Sequence, residues 1–126
     1  MSKNIIQTSE APEPLGPYSQ AVSSGKMLFV SGQIPLDPQT GELVTGNIEE
    51  ETKMVMRNIQ AILQAGGTDF SRVVKCSIFV KDLNDFSRIN RVYGDYFPQQ
   101  PPARETVEVN RLPKDVNVEI SCIAIV

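Results

Sequence analysis

The groups available for chemistry in this chain are few. Its 126 residues include no His and only two Cys, Cys76 and Cys122. A Ser-His-Asp or Cys-His nucleophilic site, a His-ligated zinc and an imidazole proton shuttle are therefore excluded. Two thiols cannot build a four-thiolate zinc site or an iron–sulfur cluster within one chain. Catalysis has to draw on carboxylates, Arg, Lys, Tyr, Ser, Thr, a thiol, backbone amides or bound water. Neither Cys adjoins a His or a helix N-terminus that would favour the thiolate, so a catalytic thiol is not expected.

The densest set of polar candidates falls in two C-terminal strands, over about 104–110 and 117–126. Side chains alternate faces along a strand. In the last strand Val118, Ile120, Cys122 and Ala124 share an apolar face with Val116, while Asn117, Glu119 and Ser121 share the other. In the preceding strand Val107 and Val109 oppose Arg104, Thr106 and Glu108. If both apolar faces pack under helices, Arg104, Thr106 and Glu119 emerge together on the uncovered side. Ile123 and Ile125 lie there too, which suggests association with other copies. The same Arg–Glu pairing also reads as an ordinary cross-strand salt bridge. Tyr18, after Gly16-Pro17, is either a site group or a packed ring with its hydroxyl at the surface. Ser31-Gly32 either opens a hydroxyl and an amide to a pocket or ends a strand. Asp82 and Asp85 are explained by helix capping, and no metal site is expected. Gly-rich phosphate loops are absent.

The elements that position these groups follow from pattern. Ala11 to Pro17 is a Pro/Gly loop. Ser19 to Ser23 and Met27 to Ser31 flank a turn at Ser24-Gly25, and Gly32 to Pro38 forms a second rigid loop. Asn47 caps a helix with Glu50 three residues on. Its face is Ile48, Thr52, Val55, Ile59 and Ile62, and Gly66-Gly67 ends it. Val73 to Val80 is a β-branched strand. Asp82 to Asp85 starts a second helix with the stripe Phe86, Ile89, Tyr93, Tyr96 and Phe97, stopped by Pro98, Pro101 and Pro102. Strands and helices in blocks predict one α+β domain over 1–126, with both helices on one face of a mixed sheet.

Composition bounds the partners. The formal net charge is −3 with a pI near 4.9, which argues against a general nucleic-acid binder. An anionic substrate would need a specific local cation. No apolar run approaches membrane-spanning length and no signal-peptide core follows Met1, so a cytoplasmic protein is expected.

Several blocks then carry a resemblance: Ala11-Pro12, Gly16-Pro17-Tyr18-Ser19-Gln20-Ala21, Ser31-Gly32-Gln33-Ile34-Pro35, Val80-Lys81-Asp82-Leu83, Asn90-x-x-Tyr93, Pro102-Ala103-Arg104-x-Thr106-Val107-Glu108-Val109 and Leu112-Pro113-Lys114-Asp115-Val116-x-Val118-Glu119-Ile120. In this order they resemble the RidA (YjgF-type) imine/enamine deaminase family over nearly the whole chain. The resemblance implies a chorismate-mutase-like α+β fold, assembled as a homotrimer around a central barrel, with active sites in clefts between subunits. It implies hydrolysis of 2-imino acids such as 2-iminobutanoate and 2-iminopropanoate to 2-oxo acids and ammonia, removing reactive 2-aminoacrylate. Arg104 would bind the substrate carboxylate bidentately and Glu119 would orient and deprotonate water. Tyr18, Ser31, Gly32, Asn90 and Thr106 would shape the pocket, with no metal or organic cofactor.

Three positions depart from the family pattern. Thr106 stands where a Cys is common, which leaves its backbone amide as the expected contact. Glu105 replaces a small or apolar residue and, by parity, points away from Arg104. Asn110 replaces a residue that is commonly Ala, Gly, Ser or basic. Two other functions are compatible with the family: a non-catalytic trimer that binds 2-oxo acids as a regulator, and a ribonuclease or translation inhibitor, which the acidic charge disfavours.

Overall fold

The computed structural model describes residues 2–126. The strands are β1 (Asn4–Ile6), β2 (Ala21–Ser24), β3 (Met27–Gln33), β4 (Val73–Val80), β5 (Ala103–Glu108) and β6 (Val118–Ile125), and the helices are α1 (Ile48–Ala65) and α2 (Phe86–Asp95). The six strands form one sheet in the order β1-β2-β3-β6-β4-β5. Only β4 and β5 pair in parallel; the other neighbours are antiparallel. The chain steps from β3 over β6 to β4 through α1, then from β4 to β5 through α2. Both steps cross the sheet in the same direction, so the common right-handed crossover puts both helices on one face. The expected α+β architecture is the one observed.

The core lies between this face and the helices. Val55, Ile59 and Ile62 of α1 and Ile89 of α2 are buried against Leu28, Ile78, Val118 and Ile120 of the sheet. Truncating one of these aliphatic side chains to Ala costs roughly 2–5 kcal/mol. Asn47 caps α1 as expected, accepting from the Glu49 and Glu50 amides at 2.9 and 3.0 Å. Thr52 fills the apolar stripe by returning its hydroxyl to Ile48 O at 2.7 Å.

Several expectations need correction. β1 is an additional strand, paired with β2. The hairpin turn falls at Gly25-Lys26, one residue beyond Ser24-Gly25, because Gly25 supplies a φ of +60°. β3 continues through Gln33, where a loop was expected. Between Val30 and Gln33 it carries one residue more than β6, a β-bulge at Ser31-Gly32. A second irregularity between Val73 and Lys75 turns Val74 outward, away from the face of Cys76.

The largest correction concerns β5. Arg104 is registered with Cys76 and Thr106 with Ile78, both core residues of β4, so Arg104 and Thr106 point toward the helices. Glu119 is registered with Phe79 and points to the opposite, open face. The reading that grouped Arg104, Thr106 and Glu119 on one uncovered side is thus overturned. The physical reason is that neither face of β5 is a plain solvent face. Arg104 lays its stem under α2 and keeps its head at the margin. Val107, expected inside, shares the open face with Phe29 and Ile125, all large apolar residues about two-fifths exposed or more.

Candidate active site

The candidate residues form two separate clusters. The first lies where edge strand β5 passes beneath α2. Arg104 Nη1 donates to Asn90 Oδ1 at 2.7 Å, and the guanidinium carbon stands 5.0 Å from the Tyr93 ring centre and 5.5 Å from that of Phe86. Among the described residues Arg104 makes no ion pair. Its neighbours hold the cation without neutralising it. Thr106 Oγ1 and Tyr93 Oη are buried without a hydrogen-bond partner. The Val109 amide donates to Val80 O at 2.8 Å, so strand alternation aims the Thr106 amide and carbonyl along the free edge of β5. An uncompensated guanidinium, an amide side chain and free backbone groups together suit a small carboxylate.

The second cluster lies across the sheet, at the bulge of β3. A Cβ on Gly32 would overlap Glu119 Oε2 and stand 2.8 Å from Cδ, so only glycine lets the carboxylate lie against the backbone there. Burial raises the Glu119 pKa above its ordinary value of 4.5, with no opposing hydrogen bond or cation. A carboxylate so placed is a better proton acceptor near neutral pH than an exposed one. Ser31 is held beside it: its amide donates to Gln20 O at 2.9 Å and its hydroxyl to Ser19 O at 2.5 Å. Tyr18 and Gly32 line one small cleft, and Tyr18 Oη accepts from the Leu15 amide at 3.0 Å. Tyr18 is about half exposed, so its ring is not simply packed.

One chain therefore brings Arg104, Asn90 and Thr106 together on the helix side, and Tyr18, Ser31, Gly32 and Glu119 together on the open side. It does not join the two sets. Glu105 points away from Arg104 as expected, but because Arg104 lies on the helix side this puts Glu105 on the open face. There Ser77 donates to its carboxylate and Lys75 lies 3.0 Å away, and both hold its pKa below the ordinary range. Asp82 caps the turn before α2 by accepting from the Asn84 amide at 2.8 Å. No His/Cys/Asp/Glu group fit for a metal occurs among the described residues. Cys76 and Cys122 face each other across β4 and β6 in the core, and burial raises both thiol pKa values.

Residues outside the candidate set turn out to support it. Gln20, almost fully buried, binds the backbone of the loop before Tyr18: its Oε1 accepts from Thr8 N at 2.7 Å, and its Nε2 donates to Thr8, Ala11 and Pro12 carbonyls at 3.0, 3.2 and 2.8 Å. Asn58 does the same for the segment after Gly32, donating to Ile34 O and Leu36 O at 3.2 and 2.9 Å. Asn58 was detectable, as a polar residue on the helical face of Val55, Ile59 and Ile62. Phe86 was expected in the core, but lies 41% exposed beside Arg104.

A mixed sheet with two helices on one face, carrying an unpaired arginine on its edge strand and a half-buried carboxylate on the opposite face, suits a small-molecule-binding α+β protein. The model of the Endoribonuclease L-PSP family matches residues 8–126, and the chain belongs to that family, also known as the Rid or YjgF family. A RutC family protein of Pyrococcus abyssi is 54% identical over 124 residues, covering 98% of each chain. Reactive Intermediate Deaminase A, chloroplastic, of Arabidopsis thaliana is 44% identical over 124 residues, or 98% of this chain and 66% of that one. The crystal structure of Escherichia coli TdcF with bound serine superposes with a TM-score of 0.93 at 43% identity, covering 98% of both chains.

Proposed function

We propose that this chain hydrolyses 2-imino acids, such as 2-iminobutanoate and 2-iminopropanoate, to 2-oxo acids and ammonia. The observation that carries the reading is the uncompensated Arg104 cation, held by neutral groups beside free backbone donors. The deaminase name of the Arabidopsis relative supports it. So does serine in TdcF, since serine, like a 2-imino acid, carries a carboxylate next to a nitrogen-bearing carbon.

In this reading a homotrimer completes the site. The Arg104 cluster of one copy faces the Glu119 cluster of the next, across the apolar open face that carries Phe29, Val107 and Ile125. Arg104 binds the carboxylate through two parallel N–H bonds, and Asn90 and the Thr106 backbone fix its orientation. The protonated imine is already electrophilic. Glu119 accepts a proton from water as the water oxygen bonds to the imine carbon, giving a tetrahedral carbinolamine. It returns that proton to the amino nitrogen and takes the hydroxyl proton as the C–N bond breaks, so the carbonyl forms and the departing ammonia carries that last proton away as ammonium. Ser31 and Tyr18 border the attacking water. The reaction uses no metal or organic cofactor.

No helix among the described residues is long and apolar enough to cross a membrane. A reducing cytoplasm suits the free thiols of Cys76 and Cys122.

The test couples the protein to a threonine dehydratase and follows 2-oxobutanoate formation. The native chain accelerates it, and Arg104→Ala and Glu119→Ala abolish the acceleration; an unchanged rate in Arg104→Ala refutes the mechanism. A monomer by light scattering removes the shared cleft. The serine bound in TdcF also suits a second reading, a trimer that binds 2-oxo acids without turnover. Tight binding with no rate enhancement would select it. The ribonuclease reading named in the family description requires salt-sensitive RNA binding, which the net charge of −3 opposes.

A further inference from the structure

Among the described residues, the hydrogen-bond and cation–π partners of the Arg104 guanidinium all come from one stripe of α2, and none is charged. Phe86, Asn90 and Tyr93 are spaced by four and then three residues, which places them on one helical face. Asn90 takes one N–H of the guanidinium, at 2.7 Å, leaving the remaining donors free. The two rings lie with their centres 5.5 and 5.0 Å from the guanidinium carbon, within cation–π range. They differ in how they are fixed. Tyr93 is 5% exposed and packs on Phe97 with ring centres 4.8 Å apart. Phe97 in turn meets Phe70 edge-on at 5.4 Å, so the Tyr93 ring is anchored in the core. Phe86 forgoes burial: it sits on the apolar stripe yet stays 41% exposed beside the cation. A carboxylate in the place of these rings would also orient Arg104, but would neutralise the charge an anionic substrate needs. Aromatic faces orient a guanidinium and leave its net charge intact.

We propose that Phe86 and Tyr93 are positioning residues that act through Arg104, an aromatic clamp that fixes the guanidinium fork in the plane required by a substrate carboxylate. The inference rests on the deaminase reading for its substrate but not for its geometry. Because the clamp serves carboxylate binding and not water attack, its loss falls on KM and spares kcat.

The test uses the full chain in its native assembly, with Phe86→Leu and Phe86→Tyr, and with Tyr93→Phe as the conservative change at the buried ring. In the dehydratase-coupled assay Phe86→Leu raises KM about 10-fold, which corresponds to about 1.4 kcal/mol, with kcat within about twofold. The dissociation constant of 2-oxobutanoate, measured by calorimetry, rises in parallel. Phe86→Tyr and Tyr93→Phe, which keep an aromatic face, restore both. In the ligand-free protein the Arg104 Nε–H resonance is ring-current shifted, and Phe86→Leu moves it toward its random-coil position. A Phe86→Leu protein with unchanged 2-oxobutanoate affinity, or an Arg104 resonance that does not move, overturns the clamp. If the native protein neither turns over imine nor binds 2-oxobutanoate, the deaminase reading fails, and the resonance still decides the clamp.

Discussion

Adding one methyl group at Gly32 tests the proposed water-activating carboxylate without replacing any ionisable group. The new Cβ would stand 2.8 Å from Glu119 Cδ and 3.1 Å from Cγ, and would overlap Oε2. Carbon atoms pack at about 3.5–4.0 Å, so the carboxylate has to retreat by about 1 Å. The backbone gains no penalty of its own, because Gly32 is not among the positive-φ glycines. Glu119 is only half-buried and its side chain can swing away, which keeps the loss of folding stability within about 1 kcal/mol. A displacement of about 1 Å in a reacting group costs on the order of 100-fold in rate. Gly32→Ala is therefore expected to lower kcat about 100-fold while leaving KM within about threefold, since the Arg104 that anchors the carboxylate in that cleft belongs to the neighbouring copy and keeps its own partners. Steady-state kinetics in the dehydratase-coupled assay, with urea unfolding as the control, measure both quantities. A folded Gly32→Ala protein with kcat within twofold of the native value would refute the assignment of Glu119 as the water-activating base.

Arg104→Lys keeps the charge but loses the bidentate fork, so KM rises by about 10-fold or more in the same assay. Glu119→Gln abolishes turnover yet stabilises the chain at neutral pH. The raised pKa means the native state holds a proton that the unfolded chain releases, so native stability falls as pH climbs from the unfolded value through the folded one. Urea midpoints against pH should separate the two proteins near neutrality and bring them together below about pH 4. Asn47→Ala removes two capping hydrogen bonds at the start of α1 and costs about 1 kcal/mol in urea unfolding, with the proposed active site unaffected.

The helices were legible because their signals are local. Asn47 and the Ile48-to-Ile62 stripe define α1 through capping and period, and both depend only on near neighbours. The hairpin and β6 follow from alternation for the same reason. β5 was misread because alternation says only that two faces differ. It does not say which one lies beneath the helices. Arg104 and Thr106 look like surface residues until α2 supplies rings and an amide above them. Val107 looks like core until the open face is seen to be apolar as well. β1 was invisible because a three-residue strand gains most of its order from its partner β2. The bulge at Ser31-Gly32, which brings the backbone against Glu119, arises from register between distant segments, and no local pattern encodes it. Of the candidate residues, Arg104, Thr106 and Glu119 could be named from strand parity and the others from the family resemblance. Their separation onto opposite faces could not.

Placing Arg104 and Glu119 on opposite faces of one sheet has a consequence for inheritance. If each cleft takes its arginine from one copy and its carboxylate from the next, two defective alleles carried together can rescue one another. Random mixing of Arg104→Ala and Glu119→Ala subunits leaves about one cleft in four with both native residues, because each is supplied with a probability of one half. A single Arg104→Ala allele beside a native one leaves half of the clefts intact, since every copy still supplies Glu119. Selection then acts on the contact between neighbours as strongly as on either residue alone.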